Sequence, residues 1–125
     1  MTLVRPRLLQ WQWSDYSAKH RDRTNLRFHI VAVPLFQLAT IALVVGVAIG
    51  SGPLVALAVA GMVAAIVIQG RGHRREREAP TPFAGPADFV SRFIAEQWIT
   101  FPRFVFSGGW SRNLGRAPES GSEPS

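Results

Sequence analysis

At 125 residues the chain holds one domain at most. It has no cysteine, which excludes a disulfide framework, a thiolate metal site and a cysteine nucleophile. A net charge of +6 would suit nucleic acid, but the basic residues gather in two blocks beside a long uncharged stretch, and that distribution argues for a membrane and against nucleic acid.

Residues 1–24 mix basic and aromatic side chains. Leu9, Trp13 and Tyr16 fall at the i, i+4, i+7 spacing of one helical face, with Trp11 beside them. Indole and phenol rings favour the level where headgroups meet acyl chains, so a short interfacial helix is predicted here. Thr24 or Asn25 is the expected N-cap of the next helix. No cleavable signal peptide is expected, because the first residues contain no short apolar core.

Between Arg27 and Arg71 there is no charge at all. A helix needs about 20 apolar residues to cross a bilayer core, and this stretch is long enough to cross twice. Spans are predicted over 26–49 and 54–70, with Gly50-Ser51-Gly52-Pro53 as the turn. Pro34 removes one backbone bond inside the first span. Ala56, Ala60 and Ala64 recur every four residues in the second, a spacing that lets helices approach closely but is also simple alanine-rich composition. Basic residues at both outer ends put the two flanks, and both termini, on the cytoplasmic side of a membrane, read here as a bacterial inner membrane.

After Arg-Gly-His-Arg-Arg-Glu-Arg-Glu comes a proline-rich loop, then an amphipathic helix over 87–101. Phe89, Val90, Phe93, Ile94, Gln97, Trp98 and Phe101 form its apolar stripe, mostly opposite Asp88, Ser91, Arg92 and Glu96. It is too short and too charged to span, so it lies in the interface or packs on the hairpin's cytoplasmic end. Pro102 is expected to end it, with Phe104, Phe106 and Trp110 continuing an aromatic surface and Gly108-Gly109 making a turn. The fold class is an all-α membrane protein, a transmembrane hairpin with flanking interfacial helices. Residues 1–112 form one membrane domain and 113–125 a disordered tail.

The chemistry-bearing residues collect at the outer ends of the spans. A hairpin returns His29 and His73 to one membrane depth, since each lies about 20 residues, roughly 30 Å of helix, from the turn. Glu76 follows His73 at i+3, and Asn25 precedes His29 at i−4. His20 can join them only if the chain breaks before the first span. Histidines and a carboxylate without cysteine suit Fe(II), Mn(II) or Zn(II), although three unrelated interfacial histidines would read the same way. No nucleophile elbow and no phosphate-cradling glycine loop is present.

Tyr16, His20, Asn25, His29 and Pro34 spell Y-x3-H-x4-N-x3-H-x4-P, and Gly72, His73, Glu76 and Pro80 spell G-H-x2-E-x3-P. Together these resemble the small integral-membrane family of the fungal 2-hydroxy-fatty-acid dioxygenase of phytosphingosine breakdown, over roughly residues 12–85. The resemblance implies an Fe(II)-dependent oxygenase that shortens a 2-hydroxy fatty acid by one carbon. By position it makes His20, His29 and His73 the iron ligands, Glu76 a ligand or the partner of one, and Asn25 an orienting residue. Arg71, Arg74 or Arg75 can hold a substrate carboxylate, because guanidinium matches it bidentately. The alternative is a non-catalytic membrane scaffold or accessory protein that binds anionic lipid or a partner. The sequence leaves the oligomeric state open.

Overall fold

The computed structural model describes residues 4–116, and every regular element among them is helical. In chain order these are α1 (Leu8–Ser14), α2 (Arg23–Ala48), α3 (Gly52–His73), α4 (Pro86–Ala95), a π-helical turn (Glu96–Thr100), α5 (Phe101–Phe106) and α6 (Gly109–Gly115).

Helices α2 and α3 make the hairpin. Between them Gly50 adopts φ 68°, a left-handed conformation that glycine takes without steric cost. Ser51 caps α3 by accepting the Leu54 N–H at 3.2 Å, and Pro53 sits in the first turn, where its missing N–H is harmless. Both helices are long and apolar enough to cross a membrane. The core helix of a soluble protein would pass that test too, but would be mostly buried. Only 28% and 17% of the most apolar windows of α2 and α3 are buried, so most of the apolar surface faces outward.

Small residues line the seam. Ala32, Ala39, Ala58 and Ala65 are buried there. Ala56, Ala60 and Ala64 point outward instead, so the regular alanine spacing is not the packing face. At the open end the approach is closest. A Cβ on Gly72 would overlap Asn25 Oδ1 and come within 3.3 Å of the Asn25 Cα, so only glycine fits. Helix α3 runs on to His73, three residues past the expected end, and α2 begins at Arg23 with Asp22 as its cap in place of Thr24 or Asn25. The Asp22 carboxylate accepts the Asn25 N–H at 2.9 Å.

The remaining helices gather at the open end. Pro102 does not end the amphipathic helix. The backbone widens by one π turn, with the Phe101 N–H bonding to the Glu96 carbonyl, and continues as α5. Pro102 has no N–H to offer in this register, which leaves the Gln97 carbonyl free to accept the Gln37 amide of α2 at 2.8 Å. The stripe is also turned from its expected orientation. Asp88 and Arg92, expected opposite the stripe, are buried, while Val90, Ile94 and Trp98 of the stripe are exposed; its Gln97 and Phe101 are buried. Leu9 in α1 is exposed whereas Tyr16, beyond the end of α1, is buried, so the expected shared face does not form. Asn113, expected in a disordered tail, lies inside α6 and donates to the His20 carbonyl at 2.8 Å; residues 117–125 of that tail lie outside the described residues.

Two apolar clusters hold the assembly. Tyr16, Leu26, Val33, Phe101 and Phe104 form one, and Ala32, Phe36 and Ala65 the other, with Phe93 packed against it. Leu26 is completely buried where α2, α5 and the loop after α1 meet. Leu26→Ala is expected to cost about 2–5 kcal/mol, whereas Leu38→Ala, on the outward surface, is expected to cost little. Thermal unfolding of the two variants in one detergent checks the contrast.

Candidate metal centre

His20 lies in the loop between α1 and α2, His29 in the second turn of α2, and His73 at the last position of α3. Their ring centroids are mutually 4.8–5.1 Å apart. Glu96, from the π turn, completes the group. One ligand atom from each of the four residues lies within 4.8 Å of all the others.

The imidazoles are held from behind. His20 Nδ1 lies 2.7 Å from the Tyr16 carbonyl, and His29 Nδ1 lies 3.0 Å from the Asn25 carbonyl. A carbonyl oxygen only accepts, so each Nδ1 carries a proton and each ring turns its Nε2 edge inward. Both Nε2 atoms are buried and have no hydrogen-bond partner. They stand 3.4 and 3.5 Å from Glu96 Oε2, ionic contacts too long for good hydrogen bonds. His73 Nδ1 is likewise buried and unpartnered. Imidazole nitrogens and a carboxylate thus converge on one point, and the hydroxyl of Tyr16 donates to Glu96 Oε2 at 2.7 Å. The four residues are close enough together to hold a metal ion. Three imidazoles and a carboxylate are a donor set that Fe(II), Mn(II) and Zn(II) accept.

Burial raises the carboxyl of Glu96, but the attraction of His20 and His29 outweighs it and holds the group well below the usual carboxylate range. Burial, followed by the charge of Glu96, pushes the Tyr16 phenol well above its ordinary value. The Tyr16 ring also stacks on that of His20 at 3.8 Å between centroids.

Glu76, the carboxylate singled out from sequence, sits outside this group. It accepts the backbone N–H groups of Arg21 and Asp22 at 2.9 and 3.1 Å and the Asn25 amide at 2.6 Å. It therefore ties the histidine-bearing loop to the end of α3, and Asn25 is its partner there. Arg75 pairs with Asp22 at 3.3 Å, and Arg71 is exposed. Arg74 lines a cavity of about 460 Å³ that lies between α1, α3, α4 and the loop after α3. His20, His73, Glu96, Tyr16 and Lys19 are among its polar lining, and Ile66, Phe83, Phe89 and Phe93 supply apolar wall. Lys19 and Glu96 are functional candidates that the sequence reading passed over. Lys19 adjoins His20 in the chain, and Glu96 is a lone carboxylate amid apolar residues, a signal that was present but pointed to no partner.

A family model described as "2-hydroxy-palmitic acid dioxygenase Mpo1-like" matches residues 7–102, and the chain belongs to this Mpo1-like family. No curated protein and no solved structure matches the chain.

Tyr16 is the sole tyrosine of the chain, so tyrosinate absorbance reports on it alone. The folded, metal-free protein is expected to show no tyrosinate at pH 10, where the denatured chain is half ionised. A folded value raised above the unfolded one means that the unfolded chain releases its proton first. The contribution to stability is therefore complete below about pH 10 and is lost as pH rises through the folded value. A folded-state midpoint near 10 would contradict this burial.

Proposed function

We propose that this protein is a membrane-embedded, iron(II)-dependent oxygenase acting on a 2-hydroxy fatty acid, with the iron held by His20, His29, His73 and Glu96. The observation that carries the reading is the buried meeting of three imidazoles and a carboxylate, each imidazole with a ring nitrogen that lacks a hydrogen-bond partner. Family membership supports the substrate class. Bound there, iron(II) would supply oxygen activation and a point of chelation for the hydroxyl and carboxylate oxygens of the acid.

The chain's own residues account for the rest. Tyr16 holds Glu96 and packs on His20, fixing two of the four groups from one side. Asn25 and Glu76 fix the loop that carries His20 and the first turn of α2. The apolar wall of Ile66, Phe89 and Phe93 suits an acyl chain, and the cations Lys19 and Arg74 border the same cavity where an acid's carboxylate would lie. Of the three arginines considered from sequence, Arg74 has this placement, while Arg71 and Arg75 lie outside the lining. The hairpin is read as crossing the inner membrane with both termini in the cytoplasm, on the strength of its uncharged exposed faces and its flanking basic residues.

Detergent-purified protein is expected to retain iron, and His73→Ala and Glu96→Ala are each expected to lower the iron content about tenfold or more. Elemental analysis reads this directly. Oxygen consumption with 2-hydroxy-palmitic acid should follow the bound iron. Equal metal content in the wild type and both variants would sink the proposal.

A further inference from the structure

The long helix formed by α4, the π turn and α5 has three distinct flanks. Positions 92, 96 and 100 face α1 and its loop: the Arg92 carbonyl accepts from Gln12 at 2.9 Å, Glu96 accepts from Tyr16, and Thr100 bonds to Gln12. Positions 93, 97 and 101 face the hairpin. Phe93 meets Phe36 edge-on at 4.9 Å, Gln97 exchanges a reciprocal pair of 2.8 Å bonds with Gln69, and Phe101 lies 5.7 Å from His29. Val90, Ile94 and Trp98 lie two residues out of phase with the first flank, roughly 200° around the helix. They are 56%, 42% and 40% exposed among the described residues.

We infer that this third flank is immersed in the acyl-chain region of the membrane, making residues 86–106 an in-plane membrane helix. The inference rests on the hairpin crossing the bilayer, as read above, but not on the metal. Depth supports it. Phe36 and Gln37 stand nine and ten residues beyond Arg27, the last charge before the span. Side chains on α2 lean back toward its N-terminus, so their partners Phe93 and Gln97 lie on the order of 10 Å inside the charged boundary. That depth is typical of in-plane amphipathic helices. Charge supports it too. The helix carries four charged residues, and all turn away from the exposed flank. Asp88 and Arg92 pair at 3.2 Å, Glu96 enters the histidine cluster, and Arg103 stacks over the Trp13 ring of α1 at 4.1 Å. With α1 lying over the opposite flank, the exposed stripe faces the same medium as the outward faces of α2 and α3.

The absence of cysteine makes the test direct. Nitroxides are attached at Val90→Cys, Ile94→Cys and Trp98→Cys, with Val44→Cys on the span and Ser111→Cys on α6 as references. The protein is reconstituted in phosphatidylethanolamine–phosphatidylglycerol vesicles. Collision with oxygen, which partitions into lipid, is compared with collision with a water-soluble nickel chelate. Positions 90, 94 and 98 are expected to match position 44, with oxygen favoured several-fold over their ratio at position 111. Nickel access at 90, 94 and 98 with lipid-like values at 44 would overturn the in-plane helix and leave the hairpin standing. Exclusion of both reagents with spin–spin broadening would overturn it in favour of a second copy on this face. Nickel access at position 44 would overturn both the helix and the membrane hairpin. The three stripe positions serve as checks on one another should a single substitution disturb folding.

Discussion

Gly72 lies so close to Asn25 that no side chain fits between them, and the rest of the site depends on that contact. It sets the open end of the hairpin at its narrowest where His73 follows Gly72 and His29 lies one turn beyond Asn25. A hairpin that splayed at this end would still have two apolar helices, but its imidazoles would separate. The contact works because Asn25 carries out several tasks at once. Its N–H is capped by Asp22, its carbonyl takes the Nδ1 proton of His29, and its amide binds Glu76. One close approach thus couples the packing of two long helices to the orientation of a ring.

The polar groups around the centre fall into two sets. One set is fully occupied with backbone: Glu76 on the Arg21 and Asp22 amides, Asn113 on the His20 and Ser17 carbonyls, and the Trp110 indole on the Leu26 carbonyl. The Glu76 and Asn113 bonds fix the loop that carries His20, and the Trp110 bond ties α6 to the first turn of α2. The other set comprises the inward nitrogens and Glu96, whose partners inside the protein are few. Buried polar atoms are normally satisfied, and three imidazole nitrogens without a hydrogen-bond partner at one point set this place apart from the rest of the interior.

Much of this was legible in the sequence. The uncharged interval between Arg27 and Arg71, bounded by basic blocks, dictates the hairpin, and the hairpin alone brings His29 and His73 to one level. Asp22 was not anticipated as the cap, because Thr24 and Asn25 offer equally good oxygens and local sequence does not rank them. The amphipathic helix over 87–101 was legible as a helix, but its orientation was not. Periodicity finds a stripe and assumes that the apolar side faces the protein. Here a polar flank faces inward because the interior at that level is a polar centre, and part of the apolar flank faces out. Asn113 was misjudged for a similar reason: a polar tail composition conceals one buried amide that clamps a loop across 93 positions.

Two carboxylates show why spacing could not choose between candidates. Glu76 lies three residues from His73, and Glu96 lies 23 residues from it, so proximity in sequence favours Glu76. Yet α3 ends at His73, and the chain beyond it bends back over the loop before α2, where free backbone amides draw the Glu76 carboxylate. Glu96 reaches the imidazoles through the π turn, whose added width brings Glu96 to the histidines and Gln97 to the hairpin within adjacent residues. The turn is held by Gln37 on the carbonyl that Pro102 leaves free and by the paired amides of Gln69 and Gln97. Neither the widened turn nor the amide pair leaves a mark on local periodicity, because both arise only when the helix lies across the hairpin. The carboxylate that matters to the histidines is therefore selected by tertiary packing.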